Sequence, residues 1–281
     1  MKKNIYLTFD VEDWFQVENL RSLYPPETWE KQKLNVENST DIILNLLDKH
    51  NVKATFFILG WIAERKPDLV KKIHNKGHEI ASHGYGHLLN YKLSKKELEE
   101  DLKKSKFIIE DLIGEEVLGY RAPSFSISDE LLDILYNLGY KYDSSYNGFS
   151  IHDRYGKIEL ENENNQPFLH KSGIIEFPLP LVEVFKQKVP ISGGGYFRLY
   201  PSFIFNNLVK KYMKNHKDYV FYMHPWEFDI NQPELKNIKL SYRFRHYIGI
   251  KKSKEKLEKF ILTNKKNNFR YRKIKNFLKE I

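Results

Sequence analysis

Short apolar segments alternate with amphipathic helical patterns along most of the chain, and this alternation constrains the fold more than any other feature. Residues 5–9 and 54–59 have the apolar run of a buried strand, whereas residues 39–50 and 94–113 repeat apolar side chains at helical spacing. Strands that alternate with helices are typical of a parallel sheet. The pattern therefore predicts an α/β fold of one domain, a (β/α) barrel, with a doubly wound open sheet as the alternative.

The other predicted elements continue this order. Further strands are expected at residues 78–81, 117–120, 140–142, 174–177 and 219–223, and further helices at residues 61–76, 128–138, 202–215 and 253–262. Asn38 or Ser39 is expected to cap the first helix, and Ser94 with Glu97 forms a capping box at the third. Residues 145–172 are polar and irregular, which indicates an insertion or a surface excursion.

The excess of basic charge lies at the C-terminal end. The 281 residues carry 46 Lys and Arg against 37 Asp and Glu, a formal net charge of +9, but residues 236–281 alone hold 16 basic and 3 acidic side chains. Residues 256–261 suit an amphipathic helix and residues 269–274 a closing strand, so this basic segment is expected to belong to the fold. Its charge also predicts a docking site for an anionic bilayer.

Two absences narrow the classes of protein that the chain can belong to. Cysteine is absent, which excludes disulfides, thiol catalysis and zinc sites built on Cys. No run approaches the roughly 18 to 20 apolar residues of a membrane-spanning helix. The apolar run after Lys3 is far shorter than the about 7–15 residues of a secretory signal. We therefore expect a cytoplasmic protein, with the inner face of the membrane as a further location.

Polar side chains follow most of the predicted strands at the point where each strand ends. They are Asp10, Glu12 and Asp13 after the first strand, His83 and His87 after the third, Arg121 after the fourth, Asp143 after the fifth and His224 after the penultimate one. Because the carboxyl ends of parallel strands meet at one edge of a sheet or barrel, these side chains are expected to lie close together.

Two histidines four residues apart form the strongest local signal. The segment His83-Gly84-Tyr85-Gly86-His87 can present two imidazoles to one metal ion, and its glycines favour a single turn over a regular helix. A third ligand from a carboxylate would leave open coordination positions, as a hydrolytic metal site requires. The competing interpretation is a surface turn with incidental histidines.

The acidic cluster after the first strand can supply both a metal ligand and a general base. Three carboxylates within four residues repel one another unless a cation or hydrogen bonds compensate. Alternation along an extended strand places Asp10 and Glu12 on one side. Glu12 and Asp13 remain rival metal ligands, and a solvated acidic turn is the alternative without chemistry.

Arg121, His224 and Asp143 each admit a functional and a structural interpretation. Arg121 could hold a carboxylate through a bidentate pair, and His224 could act as a general acid near neutral pH. Asp143 could orient His224 or start a turn. Taken one at a time, Arg121 fits a structural group and His224 a buried core histidine.

Taken together, these motifs resemble carbohydrate esterase family 4, the NodB-homology polysaccharide deacetylases, from about residue 4 to about residue 225. The matching segments, in the family's order, are Thr8-Phe9-Asp10, Ser82-His83-Gly84-Tyr85-Gly86-His87, Arg121-Ala122-Pro123, Asp143 and Tyr222-Met223-His224. The resemblance implies a distorted (β/α) barrel with a metal ion on His83 and His87. It also implies Asp10 as catalytic base, Arg121 positioning that base, His224 protonating the leaving amine and Asp143 supporting His224.

A closer resemblance is to a subgroup associated with exopolysaccharide and cell-surface glycan gene clusters. It rests on the segments Asp10-Val11-Glu12-Asp13-Trp14-Phe15, Gly119-Tyr120-Arg121-Ala122-Pro123-Ser124-Phe125-Ser126, Gly193-Gly194-Gly195-Tyr196-Phe197-Arg198 and His224-Pro225-Trp226-Glu227. The resemblance implies substrate contacts from Trp14, Ser124, Phe125, Arg198 and Trp226.

The chain departs from the family's pattern at two positions. Val11 separates acidic residues that the first motif usually has adjacent, which leaves both Glu12 and Asp13 as candidate ligands. Ser124 stands where the third motif usually ends in Tyr. Its backbone N–H could still stabilise an oxyanion, while the contact with the sugar would change.

These observations predict a metal-dependent deacetylase that removes N-acetyl groups from an amino sugar in a cell-surface polysaccharide or its lipid-linked precursor and releases acetate. The expected cofactor is Zn²⁺, or another divalent ion such as Co²⁺, Ni²⁺ or Fe²⁺. One alternative is a related metal-dependent C–N hydrolase that acts on a small amide. The other is a basic protein that binds nucleic acid or an anionic membrane through residues 236–281. The ordered motifs favour the deacetylase and an N-acetylated glycan as partner, with no nucleic acid.

Overall fold

The computed structural model describes residues 2–149, 155–160, 165–235 and 238–280. Its strands form mostly where the sequence has short apolar runs: β1 Asn4–Val11, β2 Thr55–Ile58, β3 Glu79–Ser82, β4 Gly119–Tyr120, β5 Tyr142–Asp143, β6 Phe168–Leu169, β7 Ile175–Glu176, β8 Leu181–Val184, β9 Gln187–Pro190, β10 Asp218–Met223 and β11 Arg270–Tyr271. Its helices are α1 Val36–Lys49, α2 Gly60–Arg65, α3 Pro67–Asn75, α4 Lys95–Ile113, α5 Asp129–Asn137, α6 Gly194–Leu199, α7 Ser202–Asn215, α8 Leu240–Tyr247 and α9 Ser253–Lys266.

One sheet carries most of the strands, in the order β10-β1-β2-β3-β4-β5-β7-β6, and β11 also pairs with β1. Its strand pairs are parallel, apart from β6 with β7. The order advances from β1 to β7 without the reversal that defines a doubly wound sheet, so that alternative is wrong. The sheet curls into an open half-barrel, which confirms the predicted α/β fold of the distorted-barrel type.

Alternation along the strands separates two cores. Along β1, Ile5, Leu7 and Phe9 pack on the outer face against the helices, whereas Tyr6 points into the half-barrel. Aromatic side chains from other strands meet it there and form a floor: Phe57, Tyr142, Phe177 and Tyr222. Inward-facing polar residues that come later along the same strands therefore lie above this aromatic floor.

Two of the helical predictions are wrong in detail. The single helix expected over residues 61–76 is divided into α2 and α3, because Pro67 lacks an amide hydrogen and starts a new helix. Helix α1 begins at Val36, so that Asn38 and Ser39 lie inside it instead of capping it. The capping box before α4 is confirmed.

The basic C-terminal segment contributes to both the sheet and the interior core. Strand β11 pairs in parallel with the start of β1, and Ile274 is fully buried inside the half-barrel. The amide of Ile274 donates to Thr55 Oγ1 at 3.0 Å, and the Phe277 ring packs edge-on against Phe177 with centroids 5.1 Å apart. The segment is therefore part of the fold.

The polar segment over residues 145–172 was expected to be an irregular excursion, and residues 150–154 and 161–164 of it lie outside the described residues. In its described part, β6 adds to the sheet edge by pairing antiparallel with β7. A separate hairpin, β8 with β9, and the short helices α6 and α8 carry no strong sequence pattern. Among the described helices, none combines the length and the apolar character needed to cross a bilayer.

Candidate metal centre and catalytic pocket

Adjacent acidic side chains at the end of β1 face opposite sides of the sheet. Glu12 projects into the half-barrel, as alternation predicts. Asp13 projects the other way: its Oδ2 accepts hydrogen bonds from the amides of Asn35 and Val36 at 2.6 and 2.9 Å, and its Oδ1 accepts one from the Trp14 amide. Burial raises the pKa of Asp13 to about 6 in spite of these amides. Asp13 thus caps helix α1, which corrects its candidacy as a metal ligand.

The histidine loop after β3 is held by contacts with helix α4. Gly84 adopts a φ of +71°, and a Cβ atom there would lie 2.9 Å from Asp101 Oδ2. The Asp101 carboxylate, on α4, accepts hydrogen bonds from the next two loop amides at 2.7 and 2.9 Å. These contacts fix the loop that carries His83 and His87, and they direct both imidazoles toward the half-barrel.

Three of the predicted residues form a cluster that can hold a metal ion. The ligand atoms of Glu12, His83 and His87 all lie within 4.8 Å of one another, and all three residues are buried. Glu12 Oε2 lies 2.6 Å from His87 Nε2, yet it has no hydrogen-bond partner among the described residues. His83 Nδ1 lies 2.8 Å from the Arg121 carbonyl, which leaves Nε2 for a ligand. A buried carboxylate oxygen that lies this close to one imidazole without hydrogen-bond geometry, with a second imidazole beside it, fits a divalent ion such as Zn²⁺.

The protonation states of His83 and Glu12 also suit metal ligands. Burial lowers the pKa of His83 to about 4, so its imidazole is neutral near pH 7. Burial opposes the ionisation of Glu12, but the neighbouring His87 and His224 outweigh it and hold the pKa of Glu12 at about 2. A neutral imidazole and an ionised carboxylate are the forms that bind a divalent cation.

Arg121 fixes the orientation of Asp10. The guanidinium is fully buried, and its Nη1 donates to Asp10 Oδ1 and to Thr8 Oγ1, both at 2.7 Å. Its Nε donates to the Ser144 carbonyl at 2.8 Å, and its central carbon lies 4.2 Å from the centroid of the Phe57 ring. Hydrogen bonds on several sides hold the buried pair of Arg121 and Asp10 in one geometry. Asp10 Oδ2 is thereby directed toward the pocket.

His224 is oriented by Glu227. Its Nδ1 lies 2.8 Å from Glu227 Oε1, and its Nε2 lies 3.5 Å from Glu12 Oε1 and 3.8 Å from Asp10 Oδ2. Glu227 Oε2 in turn accepts a hydrogen bond from Arg198 Nε at 2.5 Å. Burial lowers the pKa of His224, but the carboxylates of Glu12 and Glu227 reverse this effect and raise it to about 9. The imidazolium form is a proton donor.

Asp143 makes no hydrogen bond with His224, whose Nδ1 faces Glu227, and this corrects the expected support of that histidine by Asp143. Its Oδ1 accepts a hydrogen bond from Ser145 Oγ at 2.8 Å, and its neighbour across the β5–β7 pair is Glu176. Burial raises the pKa of both carboxyls, and the Asp143 charge raises that of Glu176 further. Glu176 also accepts the amides of Ser145 and Tyr146, so the two acids brace the chain that follows β5.

A cavity of about 90 Å³ opens over the cluster, and four expected substrate-contact residues line it: Ser124, Phe125, Arg198 and Trp226. Ser124 has a φ of +52°, and its amide donates to no acceptor among the described residues. The Arg198 guanidinium is occupied by Glu227 and by three backbone carbonyls. Trp14 does not line the cavity, because it packs edge-on against Phe15 and Tyr24. The lining of this cavity therefore does not support its expected substrate contact.

Sequence patterns do not assign Asp101 or Glu227 to the site. Asp101 nevertheless positions the histidine loop, and Glu227 orients His224. Glu227 carries a usable signal, since an acid three residues after His224 in a tight turn reaches back to the imidazole. Asp101 carries none, because it is one of several acids on α4 and its partners belong to another loop.

Each half of the chain matches a known family model. A family model described as polysaccharide deacetylase matches residues 1–142, and one described as a domain of unknown function (DUF3473) matches residues 144–279. The peptidoglycan deacetylase of Helicobacter pylori is 34% identical over 128 residues, which are 43% of this chain and 44% of that protein. A peptidoglycan-N-acetylglucosamine deacetylase of Bacillus cereus is 34% identical over 102 residues, which are 36% of this chain and 47% of that protein. These matches span less than half the length of either relative.

Solved structures share the fold at low sequence identity. A candidate polysaccharide deacetylase of Mycobacterium smegmatis superposes with a TM-score of 0.66 at 17% identity, over 100% of this chain and 91% of that one. A carbohydrate esterase family 4 pseudoenzyme of Bacillus anthracis gives 0.57 at 18% identity, over 98% and 65%. A fold that also occurs in a pseudoenzyme leaves activity to the residues of the site. On the family model that covers half of its length, the chain belongs to the polysaccharide deacetylase family.

Proposed function

We propose that the protein is a metal-dependent deacetylase that hydrolyses the N-acetyl group of an amino sugar and releases acetate. The observation that carries this proposal is the convergence of Glu12, His83 and His87 on one buried point. Asp10 and His224 stand beside that point, with His224 Nε2 3.8 Å from Asp10 Oδ2. A carboxylate base and an imidazolium acid beside a metal site suit amide hydrolysis.

Each group has a part in the reaction that follows from its surroundings. Asp10, held by Arg121, accepts the proton of the attacking water. His224, held by Glu227, gives its proton to the departing sugar nitrogen, so that acetate and an amine leave. The amide of Ser124 donates to the oxyanion. A divalent ion on Glu12, His83 and His87 supplies Lewis acidity that polarises the acetyl carbonyl and acidifies the water.

The substrate we propose is an N-acetylated amino sugar in a cell-surface polysaccharide or its lipid-linked precursor, as in the exopolysaccharide-associated subgroup. The four long segments that resemble this subgroup support the assignment. The names of relatives, which specify peptidoglycan N-acetylglucosamine, support an acetylated sugar. Phe125 and Trp226 give the cavity aromatic walls, which suit the faces of sugar rings.

The proposal is tested with His83→Ala and His87→Ala, each assayed for bound metal and for acetate released from N-acetylglucosamine oligomers. We expect metal binding and acetate release to fall at least about 100-fold, because each variant removes one of three protein ligands. His74→Ala is the matched control, since His74 lies on α3 beside Glu115 and away from the cluster.

Undiminished acetate release in both ligand variants would overturn the proposal. Hydrolysis of small cyclic amides by the wild-type protein, with no acetate released from any acetylated sugar, would also contradict it. Zn²⁺, Co²⁺, Ni²⁺ and Fe²⁺ added to chelated protein would identify the ion that restores turnover.

A further inference from the structure

An exposed apolar surface lies within the basic C-terminal half of the chain. Its members are Leu240, Ile230, Phe244 and Leu199, with 81%, 63%, 58% and 45% of their surface exposed, and we call it the α8 surface. Ile230, Leu240 and Phe244 line one cleft, and Phe244 and Leu199 line a second one beside it. Phe244 belongs to both clefts, so the four side chains form one continuous surface.

The α8 surface adjoins the catalytic cavity. Gly195 and Arg245 line both the second cleft and that cavity, so the two openings meet at this pair of residues. A binding partner that covers the α8 surface therefore also contacts one rim of the catalytic opening.

Basic side chains surround the α8 surface. Lys239 precedes α8, and Lys251 and Lys252 follow it, all three exposed. Arg243 lines the first cleft and pairs with Glu234. Asp229 and Glu234 also line the first cleft, so these two acidic side chains stand against five flanking basic ones, which are Lys239, Arg243, Arg245, Lys251 and Lys252.

We propose that the α8 surface docks on an anionic lipid bilayer. Exposed apolar side chains flanked by Lys and Arg gain from burial in the acyl region, while the cations meet lipid phosphates. Three of the four exposed apolar members are aliphatic, which suits acyl chains, and the aromatic Tyr196 and Tyr247 that also line the clefts are less exposed. The excess of basic over acidic side chains favours anionic lipid over a neutral surface.

Docking in this way places the catalytic opening at the membrane, next to the Gly195 and Arg245 rim. The enzyme then acts on a glycan that is itself anchored in the bilayer. This consequence rests on the proposed deacetylation, whereas the docking itself does not.

The test is sedimentation of the full chain with vesicles of phosphatidylglycerol and phosphatidylcholine, compared with vesicles of phosphatidylcholine alone. We expect binding to the anionic vesicles that weakens as salt rises, and at least a tenfold loss of binding in the double variant Leu240→Asp, Phe244→Asp. Phe107→Asp is the matched control, because Phe107 is 72% exposed on α4, outside the basic segment. Circular dichroism and thermal unfolding establish that each variant is folded.

Three results would overturn the docking proposal: no binding of the wild-type protein at low salt, equal binding to neutral vesicles, or full binding by the double variant. Acetate release from a soluble oligomer is measured in parallel. A double variant that loses this activity while it keeps vesicle binding would indicate a glycan surface and would also overturn the proposal. Absence of acetate release from every protein would contradict the proposed function alone.

Discussion

At the scale of single residues, Glu12 and Asp13 show how neighbouring carboxylates take different positions: Glu12 faces the proposed metal site, whereas Asp13 caps a helix. Glu12 presents an unpaired oxygen to His87 inside the half-barrel, while both oxygens of Asp13 are taken by backbone amides on the other side. Glu12 and Asp13 carry the same charge but have different contacts, because successive side chains of an extended chain point in opposite directions.

Exchanging these two acids for neutral residues should separate metal binding from stability. Asp13→Ala leaves three amides without their acceptor and should lower the free energy of unfolding by about 2 to 4 kcal/mol while metal content stays unchanged. Glu12→Gln should do the reverse, with loss of the metal and little loss of apoprotein stability. Elemental analysis and urea unfolding measure both quantities. Loss of metal in Asp13→Ala would show that Asp13 acts at the site.

Glu227 should control turnover more than Asp143 does. Glu227→Gln removes the charge that orients and stabilises the His224 imidazolium, so we expect kcat to fall about 10- to 100-fold with KM changed less than about threefold. Asp143→Asn, remote from His224, should leave kcat within about threefold. Steady-state kinetics on one oligomer compares them, and a larger loss for Asp143→Asn would contradict this assignment.

At the scale of elements, the histidine loop is shaped by a helix that contributes no ligand. Helix α4 places Asp101 against two loop amides, and the loop accepts this contact because residue 84 has no side chain. The placement of His83 and His87 therefore depends on how α4 packs against the end of β3.

Gly84 and Gly114 have similar positive φ angles, but only Gly84 lies against Asp101. Comparing their alanine variants therefore separates the effect of the Asp101 contact from the cost of the backbone conformation. Gly84→Ala should lower metal affinity at least tenfold, because its Cβ would lie 2.9 Å from Asp101 Oδ2 at a φ of +71°. Gly114 has a φ of +68°, but a Cβ atom there would have no atom within 4 Å. Gly114→Ala should therefore lower the free energy of unfolding by about 1 to 2 kcal/mol and leave the metal affinity intact. Competition with a chromogenic chelator measures the affinity. Equal affinities in the two variants would show that Asp101 does not set the loop.

At the scale of the whole molecule, the last residues of the chain close the interior beneath the active site. Ile274 and Phe277 fill the half-barrel among aromatic side chains from several strands, and β11 joins the central strand β1. The chain therefore brings its two ends together below the site, and residues near position 274 support strands that carry catalytic groups.

Ile274→Ala should accordingly lower the global free energy of unfolding by about 2 to 5 kcal/mol, because it opens a cavity at a fully buried position. We expect one cooperative transition in chemical denaturation, moved to lower denaturant. Lys279→Ala, at an exposed position of the same segment, should change stability by less than about 0.5 kcal/mol. A negligible loss in Ile274→Ala would mean that the C-terminal segment is not part of the cooperative core.

The sequence by itself determined the α/β class, most of the strands and the order in which polar groups leave them. It could do so because period-two and helical patterns are local and record which face of each element is buried. The placement of Asp10 and Glu12 on one face follows from the same rule. The half-barrel positions these groups together because parallel strands end at one edge.

Only the tertiary structure decided which side chains act on one another. Asp13 caps a helix because Val36 lies behind β1. Glu227 contacts His224 because the turn between them folds back, whereas Asp143 bonds to its neighbour Ser145. These choices depend on contacts between residues that are distant in the chain or related by a turn. A pattern of residue types does not encode such distances, whereas the packing of the sheet, helices and C-terminal segment fixes them.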